Sequence, residues 1–238
     1  LVWTLFSGSP VRVGFTDQRQ GHPSGKIYNL GVPLCPEDLQ ERDKNWKLVE
    51  RLFPGMGKPP ALRCPALPAG TERKVAAFYR SAGIGPRDRV LGLHPTLGKA
   101  DNRWSQKKYL ELLRRLSRKG GFKFVLVHGW GEGEALARFQ AMAARVPGVT
   151  ALPETDLFFI LGAARRFAGL VCNDSGLMHA LSLVTRVAAV FGPSEPSRWG
   201  PIGPHAHRIF RAADRRCDSV RPADVARYVQ SRWRGRPS

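Results

Sequence analysis

Three stretches of this 238-residue chain carry residue types whose spacing suits the recognition of a phosphorylated ligand. In the first, Asn173-Asp174-Ser175-Gly176-Leu177-Met178-His179 follows the apolar run FAGLVC and opens a predicted helix. Backbone amides at a helix start lack intrahelical acceptors and carry partial positive charge, so a diphosphate can settle there. Ser175 adds a hydroxyl, Gly176 lets a ligand approach the backbone, and His179 lies one turn on from Ser175, on the same face. A plainer reading fits the same residues. Asp174 or Ser175 caps the helix, and His179 is a satisfied, half-buried histidine.

The second stretch, His94 to Trp104, lies between a strand and a helix and offers Thr96, Lys99 and Arg103 as donors to phosphate oxygens. By itself it is equally a solvated basic loop. The third, Phe191-Gly192-Pro193-Ser194-Glu195-Pro196 on to Trp199-Gly200-Pro201, can shape a pocket wall or serve as a plain surface connection.

Regular elements must position these loops. Short apolar runs at 90–94, 122–127, 149–152, 167–172 and 187–191 read as buried strands, and 207–210 can add a last one. Between them lie helical patterns. Ser105 is expected to cap a helix with Tyr109, Leu112, Leu113 and Leu116 on its apolar face, ended by Gly120-Gly121. Helices are also expected from Glu134 to Arg145, after a cap at Thr155, from Gly176 to Val184, and from Arg221 to Arg234 with Pro222 in the first turn. Strands alternating with helices predict an α/β fold, a parallel sheet covered on both faces. Ligands of such sheets bind at the carboxyl ends of the strands, where all three stretches fall.

Upstream the pattern is weaker. Val11 to Phe15 reads as a strand and Pro36 to Leu52 as a helix carrying Trp46, Leu48, Val49 and Leu52. Residues 54–70 (PGMGKPPALRCPALPAG) read as a linker, and Thr71 to Ala82 as a connecting helix. The expected division is therefore 1–60 as the end of a first domain, 61–87 as linker and connecting helix, and 88–238 as a complete Rossmann-like domain. The chain opens without Met, as if inside an element, and is expected to be a fragment. No basic n-region or small-residue cleavage site marks a signal peptide in its first residues.

Hydrophobic residues make up 42% and charged residues 24%, which argues against wholesale disorder. No apolar stretch reaches the roughly 20 residues of a membrane helix. The four cysteines are widely spaced with no CxxC pair, which argues against a zinc site or a disulfide framework and fits a reducing cytoplasm. Lys and Arg number 38 against 19 Asp and Glu, a formal charge of +19. Such a surface attracts polyanions, whether nucleic acid, anionic lipid headgroups or a phosphorylated acceptor, unless it is simply the solvated exterior of an arginine-rich protein.

Taken in order, a strand ending in HP-T, a loop reaching Arg103-Trp104, then NDSGLMHA, then VFGPSEPSRWGP resemble the ADP-heptose:lipopolysaccharide heptosyltransferases, glycosyltransferase family 9. The resemblance extends to Val11-Arg12-Val13-Gly14-Phe15 and forward to Cys217 and the final helix. It implies a GT-B enzyme, with two Rossmann-like domains, the C-terminal one holding the nucleotide-sugar donor and the N-terminal one a lipid-linked acceptor. Asp174, Ser175, Gly176 and His179 would then hold the donor's sugar and diphosphate, and Thr96 with the loop to Trp104 would reach the phosphates. Glu134 would hold the nucleoside ribose, and Thr155 would line the adenine pocket. The implied donor is ADP-heptose and the acceptor an acidic, phosphorylated glycolipid at the inner face of an anionic inner membrane. The implied reaction is inverting, with no cofactor and no metal.

Two departures accompany the resemblance. Asn102 stands where the family usually has a lysine, leaving Lys99 or Arg103 to substitute. The family's catalytic aspartate lies near the start of its N-terminal domain, so no general base is assigned in this chain. A related glycosyltransferase using another nucleotide sugar and a donor-binding piece without turnover remain as alternatives. A nucleic-acid-binding protein is a weaker one, because no RRM or helix-turn-helix signature is present.

Overall fold

The computed structural model describes residue 4 and residues 6–17, 22–34, 39–96 and 102–233. The chain divides into two compact units, Leu1–Ala61 with Ser197–Trp199, and Leu62–Pro196 with Gly200–Ser238. No helix among the described residues is long and apolar enough to cross a membrane.

In the first unit, strand β1 (Val13–Thr16) pairs in parallel with β2 (Leu30–Pro33), Val13 opposite Leu30, and helix α1 (Ser24–Ile27) lies between them in sequence. The strand expected from Val11 thus begins two residues later. Helix α2 (Glu41–Leu52) is capped by Gln40, whose side chain accepts from the amide of Arg42. None of its side chains is buried, so the apolar positions Trp46, Leu48, Val49 and Leu52 do not form a sealed face.

The second unit begins its regular structure with α3 (Thr71–Ser81). The helix expected from Thr71 to Ala82 is present, and it packs within this unit, where the Tyr79 hydroxyl donates to the Ala163 carbonyl at 2.7 Å and Phe78 meets Phe159 edge-on.

Then follow along the chain β3 (Val90–Leu93), α4 (Gln106–Arg118), β4 (Lys123–Leu126), α5 (Gly133–Ala143), β5 (Val149–Ala151), α6 (Leu157–Ala164), β6 (Phe167–Asn173), α7 (Gly176–Ser182), β7 (Val187–Phe191), α8 (Pro196–Trp199), whose residues 197–199 fall in the first unit, β8 (Arg208–Arg211) and α9 (Pro222–Arg232). The six strands form one sheet in the order β5-β4-β3-β6-β7-β8, and every neighbouring pair is parallel.

The chain therefore runs outward from β3 to one edge, returns to β6 beside β3, and runs outward to the other edge. That order is the doubly wound one, and its switch point lies between β3 and β6. All four residues of β3 and all seven of β6 are buried, as strands covered on both faces must be.

One face is covered by α4, α5 and α9. Tyr109, Leu112, Leu113 and Leu116 recur at helical spacing on α4 and are fully buried against Leu91, Leu93, Phe124 and Phe139. Val225, Val229 and Trp233 complete this core. Gly169 and Gly203 are among the glycines dictated by close approach. A Cβ on Gly169 in β6 would lie 2.5 Å from the Trp233 ring, and one on Gly203 would lie 1.8 Å from the Ser182 carbonyl oxygen.

The helix ends follow local chemistry. Gly120 and Gly121 adopt positive φ and stop the chain after α4, as their sequence suggests. Ser105 stands at the N-cap of α4, but its hydroxyl makes no capping bond, and its own amide donates to Asp218 at 2.7 Å. For α6 the expectation of a Thr155 cap is corrected. Asp156 is the cap, accepting from the Phe159 amide at 2.8 Å, because its carboxylate reaches the third residue of the helix.

Candidate functional site

The loops that leave β3 and β6 flank the switch point, and the loop that leaves β7 lies next along the sheet. Asn173, the last residue of β6, is buried and fixes the turn. Its side-chain oxygen accepts from the Tyr109 hydroxyl at 3.0 Å, and its amide group donates to the Val190 carbonyl at 3.3 Å. Asn173 is thus an anchor beneath the site.

Beyond it, Ser175 has extended backbone and caps α7, accepting from the Met178 amide at 3.2 Å. A hydroxyl that accepts still has its proton to donate, so capping and ligand binding are compatible. A Cβ on Gly176 would meet open space, so no protein packing explains a glycine there. His179 is half-buried one turn on. Burial lowers its pKa from the usual histidine value, more than the nearby Asp174 carboxylate raises it, and the ring is neutral at pH 7.

Asn102 ties this turn to its neighbours. Its side-chain amide donates to Asp174 Oδ2 at 3.2 Å and to Ser194 Oγ at 3.1 Å. One buried side chain in the loop after β3 thus holds the loops after β6 and β7 together, and these bonds bring Asn102, Asp174 and Ser194 into one cluster. Two residues on, Trp104 is fully buried, donates from Nε1 to the Val220 carbonyl at 3.1 Å and packs edge-on against Tyr109.

A second cluster lies at the ends of β3 and β4. His94 and Thr96 are each only 1% exposed. Glu132 Oε2 meets His94 Nε2 at 2.8 Å and accepts from the Thr96 hydroxyl at 2.8 Å and the Gly129 amide at 2.7 Å. Burial alone would raise the Glu132 carboxyl, but the bonds from His94, Gly129 and Thr96 outweigh it and hold the group below its ordinary value. A cleft of about 650 Å³ opens here, lined by Thr96, Arg103, Lys107, Glu132 and Arg138 among others.

The remaining candidates are placed as follows. Arg103 is exposed on the cleft wall. Glu134, in the first turn of α5, is exposed and paired with Arg138. Thr155 is half-buried just before the α6 cap. No hydrogen bond joins Glu134 or Thr155 to the other candidates among the described residues. Lys99 lies outside the described residues.

Glu132 went unnoticed in the sequence because its partners His94 and Thr96 are 38 and 36 residues away. Only the adjacency of β3 and β4 brings them together. Among the described residues, no group of three or more His, Cys, Asp or Glu is arranged to hold a metal ion. Of the described cysteines, Cys172 and Cys217 are buried and Cys64 is half-buried. Burial pushes the Cys217 thiol up to about 11.

The class these features define is a Rossmann-like α/β domain whose polar strand-end loops converge on the switch point of a parallel sheet. More particularly, residues 5–224 match the model of glycosyltransferase family 9 (heptosyltransferase), and the chain belongs to that family.

Lipopolysaccharide heptosyltransferase 2 of Salmonella typhimurium strain LT2 is 30% identical over 214 residues, covering 86% of this chain and 54% of that protein. The chain thus spans about half the length of this curated relative. The solved glycosyl transferase family 9 protein of Veillonella parvula DSM 2008 superposes with a TM-score of 0.75 at 18% identity, covering 94% of this chain and 67% of its own. The E. coli ADP-heptose LPS heptosyltransferase II superposes with a TM-score of 0.69 at 21% identity, covering 95% and 71%. Both share the fold.

Proposed function

We propose that this chain binds the nucleotide-sugar donor of a heptosyltransferase reaction, with ADP-heptose as the donor and the lipopolysaccharide inner core as the acceptor. The observation that carries the reading is the Asn102 link, which draws the loops after β3, β6 and β7 together at the switch point. Family membership and the name of the Salmonella relative support the reaction class.

In this reading Asp174, Ser175, Gly176 and His179 hold the donor's sugar and diphosphate, with Arg103 on the phosphates. Glu134 and Thr155 serve the nucleoside. The reaction is an inverting, metal-independent displacement. An acceptor hydroxyl gives up its proton to a carboxylate, its oxygen bonds to the anomeric carbon, and the bond from that carbon to ADP breaks. The negative charge arriving on ADP is met by amides at the start of α7, the Ser175 hydroxyl and Arg103. The formal charge of +19 suits an acidic, phosphorylated glycolipid and peripheral contact with the anionic inner membrane from the cytoplasmic side. The division into an acceptor-side piece over 1–60, a connection over 61–87 and a donor domain over 88–238 belongs to the same proposal.

A second reading is favoured by Asn102, which stands in the place of the family's usual lysine and spends its donors on Asp174 and Ser194. It makes the chain a nucleotide-binding piece that uses another nucleotide sugar or does not turn over.

Calorimetric titration with ADP and ADP-heptose tests the donor site. Saturable binding is expected, weakened about tenfold, or about 1.4 kcal/mol, in both Asp174→Ala and His179→Ala. Binding unchanged in both variants would move the donor elsewhere. Heptose transfer by the purified chain would remove the second reading.

A further inference from the structure

Helices α4 and α9 cover the same face of the sheet, and a groove of about 310 Å³ runs between them with no task in the donor reading. The cations Arg115, Arg118 and Lys119 line it from the end of α4, and Arg227 lines it from α9. The buried Ala226 and the half-buried Ala223 give it an apolar floor. No acid lines it among the described residues, and it shares no lining residue with the cleft of about 650 Å³ at the strand ends.

Helix chemistry accounts for part of this charge. Cations in a last turn complement the helix dipole, which suits Arg115 and Arg118. Arg227 lies in the middle of α9, where the dipole draws no charge, yet it lines the same groove. Ion pairs neutralise the group only in part. Arg115 meets Glu111 at 2.9 Å, whereas Arg227 lies 3.4 Å from an Asp224 that also serves Arg221 at 2.7 Å. Arg118 and Lys119 are exposed and enter no ion pair among the described residues. Along its length α4, QKKYLELLRRLSR, carries five cations and one acid.

An anion seated among these side chains relieves their mutual repulsion, and phosphate oxygens match the forked donors of arginine. The apolar floor narrows the choice of phosphate. Below the headgroup of a phospholipid come glycerol and the first acyl methylenes, which alanine methyls and the stems of Arg and Lys can cover. A nucleic acid strand is served by aromatic platforms, and no aromatic side chain lines this groove.

We propose that the groove between α4 and α9 seats the phosphate headgroup of an anionic phospholipid and is the surface by which the second unit meets a bilayer. This rests on the membrane contact proposed above and gives it an address.

The test is sedimentation of the full chain with vesicles of phosphatidylcholine alone, and of an equimolar mixture of phosphatidylcholine and phosphatidylglycerol. The parent is expected to bind the mixed vesicles and not the neutral ones. A cation beside an anionic surface strengthens binding about fivefold, so the double variant Arg118→Gln, Lys119→Gln should bind mixed vesicles about 20-fold more weakly. Arg227→Gln alone, on the other wall, should lose about fivefold. The control Arg73→Gln, Arg80→Gln removes the same charge from exposed positions on α3, which does not line the groove, and should lose less than about twofold.

Equal losses in the double variant and the control would mean that total charge carries the attraction, and would overturn the proposal. Mixed-vesicle binding that survives the groove substitutions overturns it too, and leaves membrane contact to another surface. If those substitutions spare vesicle binding but abolish binding of single-stranded RNA, the occupant is a nucleic acid and the proposal falls. Arg227→Gln decides the matter if the double variant fails to fold, because it leaves α4 unchanged. A parent chain that binds neither vesicle defeats the membrane reading itself, before any variant is compared.

Discussion

Replacing Asn102 by Asp changes almost no volume, yet it converts a donor into an acceptor and places a carboxylate beside another. In the native chain the Asn102 amide lies 3.2 Å from Asp174 Oδ2 and 3.1 Å from Ser194 Oγ. At an effective dielectric of about 20, two unit charges at that separation repel by about 5 kcal/mol. The pair has a cheaper escape, which is to keep one proton. Holding a carboxyl protonated at pH 7 against an ordinary value near 4 costs about 4 kcal/mol, so that sets the ceiling. Asp174 is only half-buried, and solvent screening brings the expected loss to about 2–4 kcal/mol.

The sign with pH follows from the like charges. They raise the folded-state pKa of the pair above its unfolded value, so the penalty exists above pH 4 and fades as pH falls towards it. Denaturant unfolding of the parent and Asn102→Asp at pH 7 and pH 4.5 reads both quantities. Asn102→Leu serves as a control that removes the donors without adding charge, at about 1–2 kcal/mol. A loss under about 0.5 kcal/mol at pH 7, or a difference between parent and Asp variant that does not narrow at pH 4.5, would refute the idea that this side chain holds the loops together through Asp174.

Trp104→Ala should cost about 3–5 kcal/mol in denaturant unfolding through the cavity it leaves, and Trp104→Phe about 1–3 through the unpaired Val220 carbonyl. Equal costs would mean that volume is not what Trp104 supplies. Gly203→Ala should lose about 3 kcal/mol or fail to fold, because its Cβ would lie 1.8 Å from a backbone oxygen; an unchanged melting temperature would disprove that contact. His179 has a folded pKa below its unfolded value near 6.5, so the unfolded state binds the extra proton and stability falls as pH drops below about 6.5. His179→Gln should make that fall shallower between pH 6.5 and 5, and an identical pH profile would contradict it. His205 and His207 are lowered by burial as well, so part of the slope should survive the substitution.

Much of the second unit could be read from the chain because its signals are local. The helical recurrence of Tyr109, Leu112, Leu113 and Leu116 specifies one buried face whatever lies opposite, and Gly120-Gly121 stops the helix by backbone conformation alone. The strands were legible as short apolar runs because a doubly covered parallel sheet needs no alternation. Local cues failed where two neighbours offer the same chemistry. Thr155 and Asp156 are both capping residues, and only the reach of the side chain to the Phe159 amide decides between them. For α2 the helical spacing was enough to read the element, although its apolar positions are not buried.

The site divides along the same line. Asp174, Ser175, Gly176 and His179 are contiguous, follow a strand and open a helix, so their chemistry is visible as a word in the sequence. Glu132 is visible only through the sheet order, because β3 and β4 must be neighbours before its carboxylate can meet His94 and Thr96. Glu134, two residues on, is the more conspicuous acid by motif, yet it is exposed and paired with Arg138. The same dependence on topology alters the meaning of Thr96. In sequence it is a hydroxyl that can donate, whereas in the fold its one proton already points at a carboxylate. A polar residue in a strand-end loop therefore has no fixed hydrogen-bonding sense until the neighbouring strand is known. Hydrogen-bonding sense can be read from residue type where the partners lie within one helical turn, as for Ser175 and the Met178 amide.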